Sequence, residues 1–173
     1  MEIILAENHG FCYGVKRAVE MANEAANSDG KSYTLGPIIH NPQVVGRLED
    51  KGVSPVQEVS DIEEGTMIIR SHGVGPAIYE EAEEKGLNIV DATCPHVKKA
   101  QQDAKSVIED GMTLVILGEK NHPEVKSINL WANNEGIIIE DEESAEKLQI
   151  VEKMGVVVQT TFSQFKFTSI IEI

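Results

Sequence analysis

Two cysteines, three histidines and a glutamate are the residues of this 173-residue chain whose types and settings could carry chemistry. Cys12 stands in F-C-Y-G-V-K-R-A and Cys94 in D-A-T-C-P-H-V-K-K-A, each just ahead of a helical pattern. A helix N-terminus offers unsatisfied N–H groups and a partial positive charge, which stabilise a thiolate. Both positions therefore suit a metal-ligating or nucleophilic sulfur. The plainer alternative is a pair of small buried thiols; a structural disulfide is disfavoured in a cytosolic chain. His40, His72 and His122 each follow a strand-like run by a few residues, the edge at which parallel α/β sheets bind ligands. Glu124 lies two residues past His122 at a helix start, where an acidic side chain is favoured by the dipole in any case. His9, His96 and Trp131 read as surface or packing residues.

The elements that must position these residues alternate along the chain. Apolar runs at 3–6, 33–35, 66–70, 88–91, 113–118, 136–140 and 156–160 predict strands. Helical patterns cover 14–27, 42–51, 76–85, 95–109, 123–133 and 142–149, with a further run at 163–173. Pro42, Pro76, Pro95 and Pro123 sit where helices begin, and Gly52, Gly86 and Gly111 where they have ended. Strand and helix in this alternation predict parallel α/β units.

Sliding the sequence on itself by 82 residues places Cys12 on Cys94, Leu35 on Leu117, Gly36 on Gly118 and His40 on His122. Eight identities fall in 29 ungapped positions, where chance would supply roughly two. C-x-x-V-K-[RK]-A opens each unit and L-G-x-x-x-H follows, which identifies an internal duplication. A third unit in that register would place its cysteine near position 176, beyond Ile173.

Composition bounds the rest. Acidic residues outnumber basic ones by 29 to 15, for a net charge of −14, which argues against a nucleic-acid or anionic-membrane surface. The acidic groups cluster in helical segments such as 79–85 and read as solvated faces. No apolar run approaches the ~20 residues of a membrane span, and the first ten residues carry no secretory pattern, so a cytoplasmic location is expected.

The motifs F-C-Y-G-V-K-R-A, H-N-P-Q-V-V, R-S-H-G-V, D-A-T-C-P, H-P-E-V and Q-T-T-F-S, in this order and at these spacings, resemble those of the 4-hydroxy-3-methylbut-2-enyl diphosphate reductases. The resemblance runs the length of the chain. It implies two of the three α/β lobes of a trefoil, residues 1–93 and 94–173, with 1–11 a strand segment that belongs with the third. It also implies a 4Fe–4S cluster with Cys12 and Cys94 as ligands, and a diphosphate held by His40, His72 and His122. Glu124 would deliver a proton, with Thr160 in its hydrogen-bonded network. A ferredoxin or flavodoxin would supply electrons for reductive dehydroxylation in the methylerythritol phosphate pathway of isoprenoid synthesis. With two of three cluster cysteines, residues 1–173 alone are expected to hold no stable cluster, to lack reductase activity and to self-associate. Two rival readings are a non-redox α/β module that binds a phosphate ligand and a zinc site of Cys12, Cys94, His40 and His122.

Overall fold

The computed structural model describes residues 2–7, 9–28, 30–149 and 152–173. Within them the chain forms two parallel sheets. The first contains β1 (Ser32–Leu35), β2 (Val53–Val56), β3 (Thr66–Ile69) and β4 (Asn88–Asp91), in the order β2-β1-β3-β4. The second contains β5 (Thr113–Leu117), β6 (Ile137–Ile139) and β7 (Met154–Val158), in the order β6-β5-β7. Every pairing is parallel.

Both faces of each sheet are covered by helices, as an all-parallel sheet requires. The period of two along β3 separates its residues cleanly. Ile68 packs toward Ala18, Ala22 and Ala25 of α1 (Tyr13–Ala26) and Leu48 of α2 (Pro42–Glu49). Met67 and Ile69 face Val74, Ala82 and Leu87, around α3 (Pro76–Glu84). In the second sheet Leu114 and Ile116 meet α4 (Pro95–Glu109) and α5 (Pro123–Trp131). Val115 and Leu117 turn to the other face, toward α6 (Glu142–Glu146) and α7 (Gln164–Ile171). The buried residues of α1 are Gly14, Ala18, Ala22 and Ala25, a stripe of small side chains at helical spacing that lets the helix lie close on the sheet.

The duplication is visible in the elements: α1 and α4, β1 and β5, α2 and α5, β2 and β6, β3 and β7, α3 and α7 correspond in order. The repeat is not ungapped, however. Its offset is 82 residues from α1 to α4 but 88 from β3 to β7 and from α3 to α7, because residues are inserted between β6 and β7. Residues 3–6, expected as a strand, pair with nothing among the described residues; Ile3, Ile4 and Leu5 are each at least 75% exposed. A strand absent from the sequence reading is β2, whose V-S-P-V is short and interrupted by Pro55. It lies at a sheet edge, where a missing N–H is tolerated.

Side chains and backbone from the two lobes interlock. Ser127 Oγ on α5 donates to the His72 carbonyl at 2.8 Å, and Trp131 Nε1 donates to the Val74 carbonyl at 2.9 Å. Gly75 allows this approach, since a Cβ there would stand 2.8 Å from that of Leu130.

Candidate active site

Each histidine singled out in the sequence leaves the carboxyl end of a strand: His40 after β1, His72 after β3 and His122 after β5. The three converge across the two lobes. Ring centroids lie 4.5 Å apart for His40 and His72, 5.4 Å for His72 and His122, and 5.9 Å for His40 and His122. One ring nitrogen from each falls within 4.8 Å of the other two.

Burial, then the nearby His40, His122 and Arg70, push the pKa of His72 down to about 3, so its ring is neutral at physiological pH. His122 caps α5, and its Nδ1 accepts the Glu124 backbone N–H at 3.2 Å. A neutral imidazole whose Nδ1 accepts carries its proton on Nε2, which is then free to donate.

That cap bears on whether the triad is a metal centre. A ligating histidine normally donates its second ring N–H to an acceptor, whereas the second nitrogen of His122 meets a donor. The hydrogen bonding favours an anion over a cation. Nor is the zinc tetrad of the rival reading, Cys12, Cys94, His40 and His122, brought together. Among the described residues, the one group of His, Cys, Asp or Glu able to surround an ion is His40, His72 and His122, with neither cysteine in it.

Glu124, on the first turn of α5, is only 2% exposed. Its Oε1 accepts the Thr160 backbone N–H at 2.6 Å and its Oε2 accepts the Thr160 hydroxyl at 2.9 Å. Thr160 follows β7, so neighbouring strands β5 and β7 supply the acid and the group that orients it. Gln159, adjacent, accepts the Glu119 N–H through its side chain and ties the two loops together.

Cys12 and Cys94 are free thiols at the N-caps of α1 and α4, one exposed and one partly so. Each accepts the first helical N–H with its carbonyl, from Lys16 and Lys98 respectively. The two helix starts touch: a Cβ added at Gly14, two residues past Cys12, would run into Cys94 Sγ. Arg17 on α1 reinforces this by donating to the Thr93 carbonyl at 3.1 Å.

Asp91, quoted in a motif but given no role from the sequence, shapes the Cys94 turn. Its Oδ1 accepts the Thr93 N–H at 2.9 Å, while Oδ2 accepts the Tyr79 hydroxyl at 3.0 Å and pairs with Lys98 Nζ at 2.5 Å. Burial opposes its charge, but the hydrogen bonds from Lys98 and Thr93 outweigh this and hold its carboxyl below the usual range. Arg70 was likewise missed. It directly follows β3, the strand that leads to His72, and its Nε is buried with no hydrogen-bond partner among the described residues. Charge at these positions could have been noticed in D-A-T-C-P and R-S-H-G; the contacts could not.

A sequence profile of the LytB protein family matches residues 3–173. The chain is 51% identical over 163 residues to the 4-hydroxy-3-methylbut-2-enyl diphosphate reductase of Geobacter metallireducens, which covers 94% of this chain and 58% of that relative. It is 46% identical over 171 residues to the reductase of the same name from Trichlorobacter lovleyi, covering 99% and 61%. The solved structure of an (E)-4-hydroxy-3-methyl-but-2-enyl diphosphate reductase superposes with a TM-score of 0.83 at 44% identity, over 98% of this chain and 62% of that one. The Plasmodium falciparum reductase gives 0.90 at 30% identity, over 96% and 54%. The chain thus spans about three fifths of the length of the relatives it matches.

Proposed function

Because this chain belongs to the LytB protein family, we propose that its residues serve the reduction of 4-hydroxy-3-methylbut-2-enyl diphosphate to isopentenyl and dimethylallyl diphosphates. Two electrons and two protons enter, the allylic C–O bond breaks, and the hydroxyl leaves as water. The observation that carries this reading is the convergence of three histidines across the two lobes, with a buried, oriented carboxyl group two residues past His122.

In this reading the diphosphate lies against the histidines. His72 is neutral and binds as an N–H donor, and His122, whose Nδ1 is taken by the Glu124 N–H, turns its Nε2 to the anion. His40, exposed at the mouth, completes the set. Glu124 faces the departing hydroxyl and delivers the proton that makes it water. Thr160 holds both carboxyl oxygens, and its hydroxyl can turn from donor to acceptor as the proton arrives or leaves.

Cys12 and Cys94 fit the donor set of a 4Fe–4S cluster: both are free, both cap helices, and Gly14 lets the two helix starts meet. They are two of the three thiolates that leave one iron open. When bound, such a cluster supplies one-electron steps and an open iron position for an oxygen ligand. The electrons come from a small carrier such as a ferredoxin or flavodoxin. The lobes 1–93 and 94–173 are then two of three in a trefoil around the site.

The test is Glu124→Gln in the full-length, cluster-loaded enzyme under anaerobic conditions. Substrate binding should persist while kcat falls by about 10²–10⁴, the scale of a positioned general acid. A variant within a few-fold of wild type would return Glu124 to the role of a helix-start acid.

A further inference from the structure

Arg70 is a cation without a counter-charge. It is half-buried, no ion pair among the described residues includes it, and its Nε is enclosed with no hydrogen-bond partner. Desolvation lowers its pKa accordingly. An unpaired charge withdrawn from water is costly, so native structures match such groups with an anion. Nor is the guanidinium lying loosely against the protein. Its Nη1 rests on Gly36, where a Cβ would stand 2.8 Å away and where φ is +71°. A side chain at Gly36 would displace the guanidinium.

The same group lines a cleft of about 300 Å³ between the lobes. Gly36, Gly73 and Gly75 form its wall on the first lobe; Pro123 and Lys126 belong to the second. The glycines let this wall pack closely, since an added Cβ would meet Arg70 at Gly36, Gln101 at Gly73 and Leu130 at Gly75. Lys126 adds a second positive charge from the opposite side, and no lining residue is acidic, in a chain whose net charge is −14. Gly75 caps α3 without a side-chain hydrogen bond, so that helix start adds partial positive charge to the same wall. None of the three histidines of the triad lines this cleft.

We propose that the cleft is a second anion site, which binds a small oxyanion, phosphate or carboxylate, on Arg70 with Lys126 as the opposing charge. The planar fork of Arg70 suits two oxygens of one such group, and Lys126 serves as a point charge. A ligand held this way bridges the lobes and so favours their present arrangement. The site does not rest on the reductase reading.

The test titrates the chain with inorganic phosphate and, separately, with acetate, following backbone amide resonances and heat. Saturable shifts at Gly36, Gly73 and Gly75 are expected, and the anion that saturates at lower concentration identifies the preferred group. Affinity should fall roughly tenfold or more in Arg70→Gln, fall less in Lys126→Gln, and hold in His40→Ala. Arg70→Gln removes an unpaired charge and should fold at least as well; should it fail to fold, Lys126→Gln, an exposed position, decides the matter. No saturation at these amides, or full affinity in the charge-removing variants, overturns the proposal. Pyrophosphate binding that is lost in His40→Ala but kept in Arg70→Gln reports on the histidine triad alone, so either reading can fail without the other.

Discussion

A histidine that stays neutral leaves a trace in the pH dependence of folding. His72 titrates near 3 in the folded chain and near 6.5 when unfolded, so between these values the unfolded state holds a proton that the native state lacks. Stability must therefore rise with pH across that window and fall on acidification below about 6.5, by at most roughly 1.4 kcal/mol per pH unit for this one group. Urea midpoints from pH 4 to 7 should show the slope, and it should shrink in His72→Gln. A His72 ring resonance that titrates near 6.5 would contradict the burial argument. The cysteines make their own prediction: in the full-length enzyme, Cys12→Ser or Cys94→Ser should lose iron and nearly all turnover, since a hydroxyl is a poor substitute for thiolate. Wild-type iron content in either variant would remove the ligand assignment. Cys12, Cys94, His40 and His122 could be read from the repeat, because duplication of rare polar types is informative without coordinates, and His72 from its place after a strand-like run. Arg70 and Asp91 could not, although both stood in quoted motifs. What matters about Arg70 is that no described residue hydrogen-bonds its buried Nε, and about Asp91 that Tyr79, Thr93 and Lys98 all reach it.

At the scale of elements, glycine separates close contact from open space. Gly14 on α1 faces Cys94 Sγ, whereas Gly46 on α2 has nothing within 4 Å of an added Cβ. Both lie within helices, so intrinsic propensity would favour alanine at either by up to about 1 kcal/mol. Gly46→Ala should therefore raise the denaturation midpoint. Gly14→Ala should lower stability by roughly 1–3 kcal/mol, the cost of overpacking, and change the alkylation rate of Cys94. Equal and favourable effects at both sites would mean that the two helix starts are not in contact. Helix positions were legible because proline marks four of their starts: Pro42, Pro76, Pro95 and Pro123 each fall at the first turn. Strands were harder. Residues 3–6 have a strand's composition and pair with no strand among the described residues, while β2 has a pairing partner and a sequence broken by Pro55. Pairing is a property of two segments, and one segment's residues cannot disclose it.

Across the whole molecule the two sheets are unequal in one respect. β3 is flanked on both sides, by β1 and β4, and its Met67, Ile68 and Ile69 are fully buried. β7, its counterpart, pairs with β5 and with no other strand among the described residues. Met154 and Val156 on it are 37% and 42% exposed, and an apolar cavity lined by Ile139, Leu148, Val156 and Ile170 opens beside it. A parallel strand with a free edge and an apolar face only partly covered by its helices is a template for pairing with another chain. The 1–173 chain should therefore self-associate at micromolar concentration, sedimenting as more than its 19.0 kDa monomer while both lobes stay folded. Val156→Lys places a charge on that edge and should restore the monomer with little loss of stability, because the residue is already largely in water. A wild-type chain that sediments as a monomer throughout would show that the open edge is protected by its own surroundings. Association that survives Val156→Lys would move the contact elsewhere, and the exposed Ile3, Ile4 and Leu5 are the next apolar surface to test.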